Sequence, residues 1–325
     1  METSNSIKDA LQNWIPIKIT SNQDGLLCQW LYTGDKPFNN PFFDETIRKC
    51  LSLPENSKGY RVNTTLELIQ EWAACLDSVT PTAFIFHVSR CGSTLVSQAL
   101  GMMSNSISLS EVALFDQILR LPNNKQGIID QCNDKLLAAA IQFYGNKRTG
   151  AENRLFIKTD SWHLLYYQRL RALYPNVPFI ILYREPAGVL ESNKRSSGMQ
   201  GIANFVGPEV YGFDITSDEF FHPDNYMALV LEKFFNCIIE IATNDKHTLL
   251  LNYNQGLNEM MKRIAAFIGQ DLNAEEKAMI DERSKYHAKR PEKKFVEMNN
   301  SEFDHPMLEK LKGLYEEIEQ IKNTD

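Results

Sequence analysis

The chain reads as an α/β fold in three layers: a central, mainly parallel sheet flanked by helices, preceded by an N-terminal elaboration. Three observations predict it. Four short apolar runs, at residues 84–88, 154–159, 177–183 and 247–253, are each followed by apolar residues at helical spacing, the alternation that builds parallel sheets covered on both faces. The stretch 84–96 changes character twice in thirteen residues, from a strand to a Ser/Gly turn to a helix start. The first 80 residues follow a different pattern, so two regions are expected, 1–80 and 81–325.

In the N-terminal region, residues 14–20 and 26–32 are strand-like and are joined by the turn signal Asn22-Gln23-Asp24-Gly25, which predicts a hairpin. Leu66, Ile69, Trp72, Ala73 and Leu76 then give a helix an apolar stripe. No residue pattern in this region carries a recognisable chemistry.

The first core strand is Phe84-Ile85-Phe86-His87-Val88, bounded by Pro81. Ser89-Arg90-Cys91-Gly92-Ser93-Thr94 follows as a turn, and Leu95, Val96, Ala99, Leu100 and Met103 recur at helical spacing. A helix therefore starts near Gly92 to Thr94 with its free N–H groups turned toward the loop. Such a terminus carries about half a positive elementary charge and, with a glycine that admits close approach, suits a phosphate or sulfate. It is not a nucleoside-triphosphate loop of the G-x-x-x-x-G-K-[ST] type, because the residue before Ser93 is Gly92 and the loop's one cation is Arg90. SRCGST instead resembles the 5′-phosphosulfate loop of sulfotransferases that use 3′-phosphoadenosine 5′-phosphosulfate (PAPS). That resemblance implies a P-loop NTPase-like fold, PAPS as co-substrate, and Ser89, Arg90, Cys91, Gly92, Ser93 and Thr94 as its loop.

Next, Ser108-Leu109-Ser110-Glu111 reads as the opening of a second helix, with Val112, Phe115, Ile118 and Leu119 on its buried face. Glu111 stands three residues after Ser108, where a capping-box glutamate belongs. A glutamate shortly after the loop is also the general base in the sulfotransferase branch that includes the tyrosylprotein and trehalose enzymes, and this sequence is similar to it there. Both roles stay open for Glu111, the base being preferred. Residues 128–144 form a helix, and 154–159 a strand ending in Lys158. Lys158-Thr159-Asp160 is similar to the Lys-Thr-His of cytosolic sulfotransferases, whose histidine is the base. Asp160 in that place makes a histidine mechanism doubtful. It stands as the second candidate base or as the cap of the next helix, and Lys158 is placed to reach the sulfuryl group.

The run VPFIILYREPAGVLE at 177–191 is a central strand, then Arg184, then Pro186 in the first turn of a helix. Ser192 lies eight residues beyond Arg184. The arrangement resembles the 3′-phosphate motif of the same family, with Arg184 donating a bidentate pair and Ser192 a hydroxyl. Residues 198–226 are aromatic and suit a lid or acceptor wall. LLLNYNQGL followed by IAAFIG, at 249–269, resembles the strand and helix that close the sulfotransferase sheet. Lys285, Lys289, Arg290, Lys293 and Lys294 form a basic stretch near the C-terminus. A basic C-terminal loop folds over the 3′-phosphate in the family, which implies Lys289 and Arg290, although the family's Arg-Lys-Gly pattern is absent.

Composition bounds the rest. A net charge of −7 over 325 residues argues against general nucleic-acid binding. The six cysteines are scattered without C-x-x-C, and no H-E-x-x-H occurs, so no metal site is expected. His87, His163 and His222 stand isolated and read as structural. No basic leader or apolar run long enough for a membrane span is present, which points to the cytoplasm. The expected activity is sulfuryl transfer to an acceptor hydroxyl, most simply of a small, partly apolar alcohol or phenol. An ATP-dependent phosphotransferase, or a non-catalytic member that binds PAPS or a partner, is the alternative.

Overall fold

A computed structural model describes residues 2–23, 25–38, 40–57, 61–121, 128–203, 205–213, 223–287, 290–294 and 304–322. The chain opens with an antiparallel hairpin, β1 (Trp14–Asn22) and β2 (Gly25–Tyr32), in the register Trp14 to Tyr32 and Asn22 to Gly25. The register slips between Pro16 and Lys18, where proline offers no N–H to the ladder. A short β3 (Asn63–Thr65) adds to β2 and leads into the helix Leu66–Ala73.

The centre of the molecule is a five-stranded sheet made of β4 (Ala83–His87), β5 (Ser106–Ser110), β6 (Arg154–Lys158), β7 (Phe179–Tyr183) and β8 (Thr248–Asn252). Its order is β5-β6-β4-β7-β8, and every pairing is parallel. β4 and β7 are buried at all five positions, as strands covered on both faces must be. Helices Ser93–Met102, Ile128–Tyr144, Pro186–Arg195, Pro223–Asn244 and Gly256–Phe267 flank the sheet. The three-layer α/β expectation therefore holds, with one strand more than the sequence suggested.

That strand is β5, and it displaces the helix expected to open at Ser108. Ile107 and Leu109 alternate inward at strand period, and the Ser108 hydroxyl is satisfied by the Ser97 carbonyl at 2.8 Å. The helix begins only at Ala113. Glu111 is thus not a capping-box residue but the turn that leaves the strand, with φ at +54° and its N–H bonded to the Lys158 carbonyl at 2.8 Å.

The chain leaves β4 toward β5 and β6 on one side and later reaches β7 and β8 on the other. The sheet therefore has its topological switch point at the carboxyl end of β4, where open α/β sheets leave a crevice. Among the described residues, no helix is long and apolar enough to cross a membrane.

Candidate active site

The crevice is a cavity of about 790 Å³ at the carboxyl ends of the strands. Ser89, Arg90, Gly92, Ser93 and Thr94 line it from the loop after β4, and Glu111, Asp160 and Arg184 line it from the ends of β5, β6 and β7. Ser192 reaches it from the helix after Arg184. Phe42, Trp162, Met199, Gln200, Tyr253 and Tyr286 complete much of its wall.

The loop is built to turn its backbone inward. Ser89 (φ +71°), Arg90 (φ +52°) and Gly92 (φ +81°) all lie in the left-handed region, which suits glycine and strains the other two. Space is tight as well: a Cβ at Gly92 would lie 3.1 Å from the Tyr253 ring, which would have to give way by a few tenths of an ångström. The helix starts at Ser93, so its first N–H groups open on the cavity. Gln200 Nε2 donates to Ser89 Oγ at 2.7 Å, and Arg90 donates to the Ser196 carbonyl. Arg90 Nε is buried with no hydrogen-bond partner, a cationic donor left unused in a loop shaped for an anion. Cys91 is different. Its thiol points away to the Leu182 carbonyl at 3.3 Å, which leaves only its backbone for the cavity.

Arg184 donates to the Arg90 carbonyl at 3.4 Å, lies 3.3 Å from a Glu185 oxygen, and rests its guanidinium 4.4 Å from the centre of the Tyr253 ring. The loop cation and the strand-end cation are therefore in contact through the backbone, although 94 residues separate them.

On the other flank stand two carboxylates in opposite electrostatic conditions. Glu111 is ion-paired with the fully buried Lys158 ammonium, and His87 Nε2 is 3.6 Å from the same oxygen. Burial alone would raise its pKa, but Lys158 and His87 together hold it far below the usual carboxylate range. Lys158 therefore stands behind Glu111 and does not itself line the cavity. Asp160 is pushed up to about 7 by burial, with Glu111 and Asp116 adding to the rise against His163 and Lys158. It occupies the N-cap position of the two-turn 3₁₀ helix Ser161–Tyr166, its carbonyl accepting from the His163 N–H at 3.0 Å but its side chain making no bond to the helix N–H groups. Asp116, Asp160 and His163 bring ligand-type atoms within 4.8 Å of one another, but Asp116 already accepts from Trp162 at 2.6 Å and from Arg120 at 3.1 Å.

Of the residues singled out in the sequence, the loop, Glu111, Asp160, Arg184 and Ser192 meet at one cavity. Lys289 lies outside the described residues, as does His222. The Arg290 backbone opens a short strand, Arg290–Lys294, paired with Tyr286–His287, and Tyr286 lines the cavity. His87, Phe42, Gln200 and Tyr253 carried no sequence signal of their own. Tyr253 had an indirect one, since it directly follows a parallel strand, where site residues gather.

No family model matches the chain, and no curated protein does. Among solved structures it is similar to the sulfotransferase domain of the Synechococcus PCC 7002 olefin synthase, at 16% identity and a TM-score of 0.42, over 76% of this chain and 94% of that one. A sulfotransferase from Mycobacterium avium matches at 13% identity and a TM-score of 0.45, over 80% of each chain. Retinol dehydratase in complex with retinol and PAP matches at 16% and 0.36, over 80% of this chain and 87% of that one.

Proposed function

We propose that the chain transfers a sulfuryl group from PAPS to the hydroxyl of a small, partly apolar alcohol or phenol. What supports this most is that two anion-binding elements of the resembling motifs, the loop 89–94 and the pair Arg184 and Ser192, line one cavity together with an ionised carboxylate. The backbone N–H groups of Gly92 to Thr94 and the Arg90 guanidinium face the 5′-phosphosulfate. Arg184 and Ser192 hold the 3′-phosphate, and Lys289 and Arg290 belong with that end by resemblance. An acceptor oxygen forms its bond to sulfur as the bond from sulfur to the 5′-phosphate oxygen breaks, and adenosine 3′,5′-bisphosphate leaves. The acceptor proton passes to Glu111.

A carboxylate paired with an ammonium is a weak base. Lys158 does not line the cavity, so in this scheme it acts through Glu111, holding the carboxylate ionised until the acceptor proton arrives. A second reading exchanges the carboxylates, because Asp160 also lines the cavity and already titrates near the pH where a base works best.

Calorimetric titration with adenosine 3′,5′-bisphosphate, against ADP and against ATP with magnesium, tests the proposal. Tight binding of the bisphosphate and little of ADP is expected, and Arg184→Ala should weaken it roughly ten- to a hundredfold, the loss of a charged hydrogen-bonding partner. Binding of ATP with magnesium and none of the bisphosphate would overturn it in favour of phosphoryl transfer.

A further inference from the structure

We propose that His87 is a positioning residue that couples the anion-binding loop to Glu111 through a single fixed tautomer of its ring. The residue is the last of β4 and is almost entirely buried, with its ring at the cavity wall between the two flanks of the site. Nδ1 lies 3.1 Å from the Ser89 N–H. That N–H can only donate, so Nδ1 carries no proton. Nε2 lies 3.0 Å from the Thr159 carbonyl and 3.6 Å from Glu111 Oε1, and both of these can only accept. Nε2 therefore carries the proton, and one neutral imidazole accepts from the loop and donates to the Thr159 carbonyl while keeping the edge of its Nε2–H beside Glu111. Either alternative form places an N–H against the Ser89 N–H.

Each end of that link has a consequence. Ser89 sits at φ +71°, a conformation that a serine keeps only when its surroundings fix it. His87 holds its N–H while Gln200 holds its hydroxyl. The Ser89 N–H is thereby committed to the ring, so the loop's anion donors begin after it. At the other end, the Nε2–H bonds to the Thr159 carbonyl and stands 3.6 Å from the Glu111 oxygen that Lys158 holds. The charged groups that face the ring are Lys158 from the end of β6 and Glu111 from the end of β5. Burial and Lys158 lower its pKa, against the pull of Glu111 and Thr159, which keeps the ring neutral where an exposed histidine would begin to charge.

The coupling rests on the nucleotide reading of the cavity only for its effect on affinity, so the test has a part that needs no ligand. In the full chain labelled with 15N-histidine, multiple-bond 15N–1H correlation should show one ring, absent from the His87→Asn spectrum, with a bare Nδ1 and a protonated Nε2 at pH 7. An Nδ1–H tautomer or an imidazolium there would overturn the proposal. His87→Asn retains an acceptor near the Nδ1 position, whereas His87→Gln retains only a donor near Nε2. The Ser89 amide should exchange roughly tenfold faster in His87→Gln than in wild type or His87→Asn, the weight of about one hydrogen bond. Adenosine 3′,5′-bisphosphate affinity should fall by a similar factor in His87→Gln alone. Equal Ser89 exchange in all three proteins would defeat the coupling. If wild type binds no bisphosphate while the tautomer and exchange results hold, the nucleotide reading fails and the positioning role stands.

Discussion

At the scale of single residues, the site turns on two carboxylates whose surroundings drive them apart. Glu111 is held ionised by Lys158 and His87, and Asp160 is raised to about 7 by burial and like charge. With Glu111 as the base, Glu111→Gln should lower turnover roughly 10²–10⁴-fold while leaving bisphosphate affinity near wild type, and Asp160→Asn should cost far less. The reverse order, measured in single-turnover assays with PAPS and a phenol, would move the base to Asp160. The same two groups act on stability with opposite signs. Asp160 binds its proton more tightly in the folded chain than in the unfolded one, so its contribution to stability falls as pH rises from about 4 to about 7 and stays low above that. Glu111 behaves in the opposite way: its contribution is present above its unfolded pKa and is lost only in strong acid. Asp160→Asn should therefore stabilise the protein at pH 8, by a few kcal/mol at most, and little at pH 5, both read from the thermal midpoint. An equal gain at both pH values would show that the carboxyl is not held protonated by the fold. The sequence offers Glu111 and Asp160 as candidate bases or helix caps, but nothing in it separates their proton affinities. Their pKa values are set by burial and by partners most of which come from other elements, Lys158 and His87 beside Glu111, and Asp116 and Glu111 beside Asp160.

At the scale of elements, local signals that do not conflict with one another form as the sequence predicts. The strand, turn and helix of residues 84–96 form as β4, the left-handed loop and the helix Ser93–Met102, because an apolar β-rich run, a Ser/Gly turn and a helical stripe succeed one another without conflict. Arg184 and Pro186 likewise fall at the strand end and the helix start. The misreading was β5. Ser108-x-x-Glu111 carries a helix-start signal, and the five-residue strand hidden in it is decided by pairing to β6, a contact 48 residues away. Left-handed serine, arginine and glutamate were also invisible, since only glycine announces that conformation. Gly92 is the place to test the loop. Alanine there must hold φ at +81° and accept a Cβ 3.1 Å from the Tyr253 ring, so Gly92→Ala should destabilise the protein by about 1–3 kcal/mol. It should also weaken bisphosphate binding beyond that of a variant destabilised equally elsewhere. Urea denaturation and calorimetry on the same preparation separate the two effects. Wild-type affinity in a folded Gly92→Ala protein would exclude the loop from the anion site.

At the scale of the whole molecule, the parallel order β5-β6-β4-β7-β8 explains why residues from five separate strand ends share one cavity: each strand delivers its following residue to the same edge, and the reversal at β4 opens the space between them. The first 80 residues take part in this architecture by packing. Tyr144, fully buried at the end of its helix, donates to the Pro16 carbonyl at 2.6 Å and sets its ring against Phe43 and Phe115. Trp30 meets Phe143 edge-on, and the Ile19 N–H reaches Gln117 at 2.9 Å. The hairpin and the sheet thus share one apolar core, and they should unfold together. Tyr144→Phe leaves the Pro16 carbonyl without its donor while keeping the ring, a loss of about 1–3 kcal/mol. Three of the four tryptophans, Trp14, Trp30 and Trp72, lie in the first 80 residues, so fluorescence reports chiefly on that region and far-UV circular dichroism on the remainder. In urea, both signals should fall in one transition in wild type, and both midpoints should shift by the same amount in Tyr144→Phe. A fluorescence transition that moved alone would show that the N-terminal region folds on its own, and that its contacts with the sheet contribute to docking without holding the core together.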